Sequence, residues 1–412
     1  AARADLPAVT PVKPSRMRAK RREGIDYEGI PASLQASVVE PGDAGYARLR
    51  SNYMRGGSPG LILLPETPEQ VADAIGYAQR HRELPLSVRS RGHGISGRST
   101  NDGGLIIDLR RMNRIEILDE ATRRIRVEAG ARWMDVAAAI EPHGWALSSG
   151  DYGGVGVGGL ATAGGVGWLV REHGLTIDHM RAAQIVLADG SILNASETEN
   201  PELFWAIRGA GANMGIVTSF AFDVDPIGQV GWAQFVLGAS DISAFLQTWG
   251  EWIENSPRDI TSFMIMGQQR SRQRYAHVLA VIDSSDPETI VSRLQPLADK
   301  AAVLQQRIAI TSYADVMANA SDHYHDGQGD PAVRSGLLEH ITPGFADDAA
   351  RLIESGGSYF FQIRSMGGAV ADVPPDATAF PNRAANFSVI AFGPSRSRLN
   401  AFWDELNPHF DG

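Results

Sequence analysis

The chain has 412 residues, enough for two or three domains, and its 43% hydrophobic and 21% charged content is that of a globular protein. No apolar run reaches the roughly 18 residues of a membrane span, and the lack of cysteine excludes disulfides, thiolate metal sites and a cysteine nucleophile. The net charge of −10 argues against a nucleic-acid partner.

Residues 1–24 are predicted to form a flexible tail, because basic side chains crowd a segment with little apolar content. The alternative is an arm that binds anions. No apolar core of a signal peptide is present, so we expect a cytoplasmic protein. Because the chain begins with Ala, a secreted protein whose leader has been removed is the alternative.

The next part predicts a mixed α/β unit over roughly 50–225. A buried strand at 61–64 precedes the helix start Thr67-Pro68-Glu69-Gln70, and a strand at 85–88 completes a βαβ unit with parallel strands. Further predicted elements are strands at 105–109, 115–118 and 124–127, a helix at 133–140, a hairpin of 184–187 and 191–193 around Asp189-Gly190, a helix from 200 and a strand at 216–220.

Past Pro226 there are fewer glycines and longer strands, which predict a second, largely antiparallel sheet with helices on one face. The predicted elements are strands at 232–237, 262–266, 276–282 and 359–364, helices near 241–255 and 286–300, a loop at 368–383 and a helix at 399–406.

A turn rich in Gly and Ser follows the strand at 85–88 and reads Arg89-Ser90-Arg91-Gly92-His93-Gly94-Ile95-Ser96-Gly97. Such a turn exposes consecutive backbone N–H groups, which form a nest for phosphate oxygens. Arg89 and Arg91 add charge if they face that nest. His93 lies between two glycines, so its imidazole is open toward a bound group; the alternative is a loop histidine bonded to backbone.

Between Gly150 and Gly167, nine of eighteen residues are glycine. Such density predicts positive φ angles or close approach of the backbone to something flat. The G-x-G-x-x-G at 154–159 matches a nucleotide-binding turn poorly, because no convincing strand precedes it and no amphipathic helix follows. A segment lying along a large planar cofactor fits better, with a purely structural glycine loop as the alternative. Downstream, 203–217 predicts a short helix that ends in glycines and leads into a strand.

Taken in order, these segments resemble the FAD-linked oxidases of the vanillyl-alcohol oxidase superfamily, in particular the berberine-bridge-enzyme-like branch. The turn at 89–93 resembles that branch's Arg-Ser-Gly-Gly-His, with Arg91 in place of the first glycine. Similar segments then follow at 155–167, 171–178, 203–211, 215–218 and 367–383. The resemblance is dense over about 55–225 and patchy after it.

The resemblance implies an α+β fold, the two-domain PCMH-type FAD-binding fold with an antiparallel-sheet substrate domain covered by helices. Residues 25–225 would form the FAD-binding domain with two α/β subdomains, and 226–390 the substrate domain. Residues 391–412 would return to the FAD domain, and that return is expected to be incomplete here. The family's C-terminal segment often carries a Tyr or Asn near the flavin, so the catalytic base is left open.

The resemblance also implies that His93 carries FAD through an 8α-histidyl bond. Many relatives have a second, cysteinyl bond, but Tyr152 stands at that place here, so only the single attachment is possible. The implied pyrophosphate-binding residues are Arg89, Ser90, Arg91, Gly92, Gly94 and Ser96. Those along the isoalloxazine are Gly154, Val155, Gly158, Gly159, Thr162, Gly164 and Gly165, and those near the adenine are Ile216 and Val217.

We expect hydride transfer from a substrate carbon bearing OH or NH to the flavin, with O₂ as the electron acceptor and H₂O₂ as a product. The family places Val155 near the oxygen-reactive face, where a small side chain favours an oxidase over a dehydrogenase. The candidate catalytic residues are Tyr152, Tyr359, Gln362 and Arg364. Period 2 puts Gln362 and Arg364 on one strand face.

Several alternatives stay open. Tyr152 could only fill volume, and the face of Gln362 and Arg364 could simply be solvated. His323, Tyr324 and His325 predict a polar loop rather than a metal site, so no metal is expected. The substrate could be a sugar, a secondary-metabolite alcohol or an amine. The other functions considered are an O₂-independent flavin dehydrogenase, a nicotinamide-dependent dehydrogenase and a non-catalytic flavin- or ligand-binding protein.

Overall fold

Three β-sheets organise the computed structural model, which describes residues 20–267, 274–320, 325–327 and 329–412. Two sheets lie in the first half of the chain and a larger antiparallel sheet lies in the second. The prediction of an α+β fold with an antiparallel second sheet covered by helices is confirmed. No helix of the described ranges is both long and apolar enough to cross a membrane.

The first sheet has four strands, and its elements are β1 (Val38–Val39), α1 (Tyr46–Leu49), β2 (Leu61–Leu63), α2 (Pro68–Gln79), β3 (Leu86–Arg89) and β4 (Leu105–Asp108). The strand order is β1-β2-β4-β3. Both strands of the predicted βαβ unit are parallel to β4, which lies between them, so they are not neighbours. Helix α2 begins as predicted, because the Gln70 N–H donates to Thr67 Oγ1 at 3.3 Å.

The second sheet has the order β5-β6-β9-β7-β8 and is antiparallel throughout. Its hairpin turns at Asp189-Gly190 as predicted, with Gly190 at a φ of +85°. The first two sheets share one hydrophobic core. The elements of this part are β5 (Ile115–Asp119), β6 (Arg124–Glu128), α3 (Trp133–Ile140), α4 (Val157–Leu160), α5 (Val170–His173), β7 (Met180–Val186), β8 (Ile192–Ser196), α6 (Pro201–Ala210) and β9 (Ile216–Asp223).

The third sheet has seven strands in the order β13-β10-β12-β11-β15-β16-β14. One face packs on helices through side chains such as Trp249, Phe345 and Trp403. On the other face Phe263 stacks on Trp168 of the first half at 4.2 Å between ring centroids. The elements are β10 (Gln229–Gly238), α7 (Ile242–Glu254), β11 (Ile260–Gly267), β12 (Tyr275–Ile282), α8 (Pro287–Ala298), β13 (Val303–Ser312), α9 (Tyr313–Met317), β14 (Ala332–Leu338), α10 (Pro343–Glu354), β15 (Phe360–Ser365), β16 (Phe387–Gly393) and α11 (Arg396–Leu406).

Two buried arginines join the halves of the chain. Arg171 donates to the backbone carbonyls of Ser256, Pro257 and Ile260, at 3.1, 3.0 and 2.6 Å. Arg383 forms a bidentate pair with Asp178, with both distances 2.9 Å. The segments at 171–178 and 367–383 therefore position the two halves against each other.

Both chain ends differ from the prediction. Most of 391–412 packs on the second half, because Leu399 and Trp403 of α11 lie in the core beneath the third sheet and the Leu337 N–H donates to Gly412 O at 2.7 Å, whereas Phe392 of β16 clusters with Met54 of the first half. Residues 1–19 lie outside the described residues. Arg21, assigned to the flexible tail, is 2.7 Å from Glu40, and this ion pair holds it on the fold.

Candidate active site

The side chains of Arg89 and Arg91 hold the turn after β3 in place. Arg89 is 1% exposed; its Nε donates to Asp108 at 2.7 Å, and its other nitrogens donate to the carbonyls of Ser51 and Leu49. Arg91 Nε donates to Gly130 O at 2.6 Å, and burial lowers its pKa to about 10. Both charges point into the protein, so the idea that they face the nest is wrong.

The backbone of the same turn offers free donors. Within the described part of the chain, the N–H groups of residues 92–96 donate no hydrogen bond to protein. Gly92 and Gly97 take positive φ angles of +78° and +74°, which bend the chain around these groups, and Gly94 and Ser96 are exposed. Consecutive free N–H groups of this kind suit the oxygens of a phosphate.

The imidazole of His93 lies at the centre of an aromatic cluster. Its ring stacks on Tyr53 at 5.4 Å, lies 5.4 Å from Tyr152 and meets the edge of His325 at 4.6 Å. Burial, with a smaller contribution from His325, lowers the pKa of His93 to about 4. The ring is therefore neutral at pH 7 and keeps a free nitrogen lone pair.

Close packing within the protein explains several glycines of the loop. A Cβ on Gly156 would lie 2.0 Å from Ser90 Oγ, one on Gly165 2.1 Å from Thr176, and one on Gly167 1.8 Å from Ser149 O. The density predicted to serve a flat cofactor thus also lets the loop lie on its own domain. Gly159 is different, because it is exposed and a Cβ there would meet nothing within 4 Å.

The structure brings only part of the predicted flavin-binding set to His93. A Cβ on Gly154 would lie 3.3 Å from His93 Nε2, whereas one on Gly164 would meet Phe380 at 3.2 Å. Ile216 and Val217 are buried in β9 at 7% and 6% exposure, within the hydrophobic core of the first half. Other members of the set hold the loop in place through hydrogen bonds within the protein. Ala129 O accepts from Ser90 Oγ at 2.6 Å and from Gly158 N–H at 2.9 Å. Thr162 Oγ1 donates to Gly158 O at 2.9 Å, and Val155 O accepts from Trp133 N–H at 3.1 Å.

The substrate-side candidates lie on and beside β15. Gln362 is 4% exposed and shares a strand face with Arg364. Arg364 Nη2 is 2.9 Å from Oδ2 of Asp151 in the glycine loop. Tyr359 lies just before the strand and is 37% exposed, and burial and then Tyr53 raise its pKa.

Asn319 brackets Tyr152. Its Nδ2 donates to Asp151 O at 2.9 Å, and its Oδ1 accepts from Gly153 N–H at 2.8 Å, so the residues on either side of Tyr152 are fixed. The Tyr152 hydroxyl makes no hydrogen bond to the described residues. It is therefore free for a bound molecule beside His93.

Sequence reasoning missed Tyr53, His325, Asp151 and Asn319. They lie far from His93 in the chain. The tertiary fold brings Tyr53 and His325 against its ring, and it brings Asn319 to the backbone around Tyr152, which Asp151 directly precedes. His325 Nε2 contacts Arg91 O at 3.1 Å, while His323 and Tyr324 lie outside the described residues. Among the residues that are described, no three His, Asp or Glu side chains form a group that could hold a metal ion.

The residues present fit FAD. The free N–H groups of 92–96 suit a pyrophosphate, the neutral His93 suits attachment, and Gly154 places backbone without a side chain next to the imidazole Nε2. Fold and site together define an FAD-dependent oxidoreductase.

Comparisons with known proteins agree. A family of FAD binding domains matches residues 59–196. (R)-6-hydroxynicotine oxidase of Paenarthrobacter nicotinovorans is 31% identical over 354 residues, which are 82% of this chain and 76% of that protein. Xylooligosaccharide oxidase of Thermothelomyces thermophilus is 38% identical over 212 residues, which are 51% of this chain but only 41% of that protein. The solved structure of BBE-like 1 from Physcomitrella patens aligns with 91% of this chain and with 87% of its own chain, at a TM-score of 0.79 and 21% sequence identity.

The chain therefore belongs to the berberine-bridge-enzyme-like family of FAD-linked oxidases, as the sequence resemblance predicted. It is an enzyme that binds FAD. The FAD-binding family match covers residues 154–159, so the alternative of a nicotinamide-dependent dehydrogenase is wrong.

Proposed function

We propose that the protein is an oxidase with FAD attached to His93 by a single 8α-histidyl bond and no cysteinyl link. It takes hydride from the C–OH group of a sugar or secondary-metabolite alcohol and passes the electrons to O₂, forming H₂O₂. When bound, FAD supplies the hydride acceptor and the reaction with O₂. The observation that carries the proposal is the neutral imidazole of His93, which belongs to the turn with free N–H groups at 92–96 and whose ring lies 5.4 Å from that of Tyr152.

His93 has the properties of an attachment nucleophile. A pKa of about 4 leaves its ring unprotonated at pH 7, and an unprotonated nitrogen is what nucleophilic attack requires. Tyr53 and His325 contact the ring from two directions and fix its orientation. With Tyr152 at the cysteine position and no cysteine in the chain, the histidyl bond is the single attachment.

Other groups of the chain bind different parts of FAD. The N–H groups of 92–96 bind the pyrophosphate, with the Ser96 hydroxyl beside them. Arg89 and Arg91 act indirectly, because their charges hold the turn in shape. Gly159 presents open backbone to the flavin ring, while Gly154 lies against Tyr152 and His93. Contact of Ile216 and Val217 with the adenine stays a prediction.

Tyr152 is the group we assign to the substrate hydroxyl. It has a free phenol beside His93, and Asn319 holds the backbone on both sides of it. Its hydroxyl can hydrogen-bond to the substrate hydroxyl and, after losing its own proton to solvent, accept the substrate proton. Gln362 can orient a substrate oxygen from the sheet, and Tyr359 stands at the exposed margin. Alcohol oxidation is supported by relatives named for oligosaccharide substrates.

Amine oxidation is the second candidate. The relative aligned over 82% of this chain is named for 6-hydroxynicotine, a nitrogen compound. Both reactions release H₂O₂ and use the same hydride acceptor, so the substrate alone separates them. A cytoplasmic location stays a prediction from the sequence.

Two measurements test the proposal. Purified protein is expected to be yellow, and the colour should precipitate with the chain in acid. A screen of saccharides, alcohols and amines should then release H₂O₂ for one class. Colour that stays in the acid supernatant contradicts the covalent bond, and bleaching without H₂O₂ in air would identify a dehydrogenase instead.

A further inference from the structure

A paired charge lies on the substrate-side wall. Arg364 is opposite Phe263 in the neighbouring strand and shares a strand face with Gln362. Its guanidinium carbon is 5.7 Å from the centroid of the Phe263 ring, and its Nη2 is 2.9 Å from Oδ2 of Asp151. The sheet thus supplies the cation, and the glycine loop of the other domain supplies its counter-charge.

The pair is close to the proposed reaction centre and can be reached. Asp151 directly precedes Tyr152, whose ring is 5.4 Å from that of His93. The side chains of Arg364 and Asp151 are 27% and 20% exposed, so a small molecule can contact them. A change in the charge of Arg364 or Asp151 would therefore change the electrostatic interaction with a ligand bound beside His93.

We propose that Asp151 is a specificity-determining residue, which neutralises Arg364 and so makes the site favour uncharged substrates over anionic ones. This inference rests on the proposed function for the location of the substrate site. An unpaired Arg364 would attract a carboxylate, whereas the paired one offers an anion no net charge. His93 and His325 do not replace that charge at pH 7, because burial lowers the pKa of both.

The test is calorimetric titration of the holoprotein with benzoate and with its uncharged counterpart, benzyl alcohol. In Asp151→Asn, Arg364 loses its counter-charge, and the affinity for benzoate should rise about tenfold while that for benzyl alcohol stays unchanged. The double variant Asp151→Asn/Arg364→Gln should return to the wild-type affinity. Asp372→Asn is the matched control, because it frees Arg258 in an exposed pair elsewhere and should change neither affinity.

Equal affinity of the wild type and Asp151→Asn for benzoate, or a gain that survives in the double variant, overturns the inference. Should Asp151→Asn fold poorly, Arg364→Gln is the reciprocal test. It leaves Asp151 unpaired, so benzylammonium should bind about tenfold tighter than to the wild type, and no gain would also overturn the inference. The flavin absorbance of the same samples tests the proposed function separately, because the calorimetric titration measures ligand binding and does not depend on turnover.

Discussion

Replacing Asp108 by Asn tests whether the turn that carries His93 depends on a buried charge network. Asp108 is fully buried, and its carboxylate lies 2.7 Å from Arg89 and 2.9 Å from Arg110. The substitution leaves the guanidinium of Arg89, 1% exposed, without a counter-charge. Removal of one partner of a buried pair costs about 3–5 kcal/mol, so the free energy of unfolding should fall by that amount.

The assay is urea unfolding of the wild type and the variant, followed by tryptophan fluorescence. Asp102→Asn is the control, because Asp102 pairs with Arg55 at the surface and should lose less than about 1 kcal/mol. Equal losses in the two variants would refute the reasoning.

The same carboxylate makes stability depend on pH. Burial alone would raise the pKa of Asp108, but Arg110 and Arg89 outweigh it and lower the value to about 2. The ion pair's contribution to the free energy of unfolding is therefore complete above pH ~4, which is the pKa of this carboxyl in the unfolded chain. Wild-type protein should lose about 2 kcal/mol of it between pH 4 and 2, a loss that Asp108→Asn lacks.

Three further predictions concern the loop and the joint between the domains. Tyr152→Phe should keep its flavin but lose at least about 100-fold in kcat/KM, measured by H₂O₂ release, because it lacks the hydroxyl that binds the substrate hydroxyl and accepts its proton. Gly156→Ala should cost about 1–3 kcal/mol in urea unfolding, because its Cβ would lie 2.0 Å from Ser90 Oγ, whereas Gly159→Ala, with nothing within 4 Å, should be tolerated. His173 is held between Asp225 and Asp283; burial lowers its pKa, but the two carboxylates outweigh burial and raise it to about 9. The charged His173 should contribute about 3 kcal/mol to the free energy of unfolding below pH 6.5, and this contribution should disappear as the pH rises through 9. The difference in the free energy of unfolding between the wild type and His173→Gln should therefore close over that pH range.

Each of these has a clear contrary result. Full activity in Tyr152→Phe would mean that the ring only fills volume. Equal stability of Gly156→Ala and Gly159→Ala would mean that the loop does not depend on its contact with Ser90. A gap between the wild type and His173→Gln that stays constant from pH 6 to 10 would show that His173 carries no charge that matters to the fold.

Local sequence signals predicted most elements of the first half. The cap at Thr67, the turn at Asp189-Gly190 and the helix at 133–140 each depend on residues close in sequence, so their structures follow from the sequence nearby. The position of β4 between β2 and β3 did not follow, because strand order depends on contacts between distant segments. Strand β13 was missed since it is exposed along most of its length at the sheet edge and lacks the alternation of a half-buried strand.

The candidate site divides in the same way. The turn that carries His93 was visible because Gly92, Gly94 and Gly97 are closely spaced in the sequence. The roles of Arg89 and Arg91 were not, because the partners that turn their charges inward, Asp108 and Gly130, come from other parts of the chain. The contact of Tyr53 with His93 likewise depends on tertiary packing, and no local pattern announces it.

Intact-mass analysis of the native holoprotein tests the central claim most directly. The wild type should carry one adduct with the mass of FAD that survives denaturation, and His93→Ala should show bare polypeptide under the same conditions. A wild-type chain without an adduct, or a His93→Ala chain that keeps one, would contradict attachment at His93.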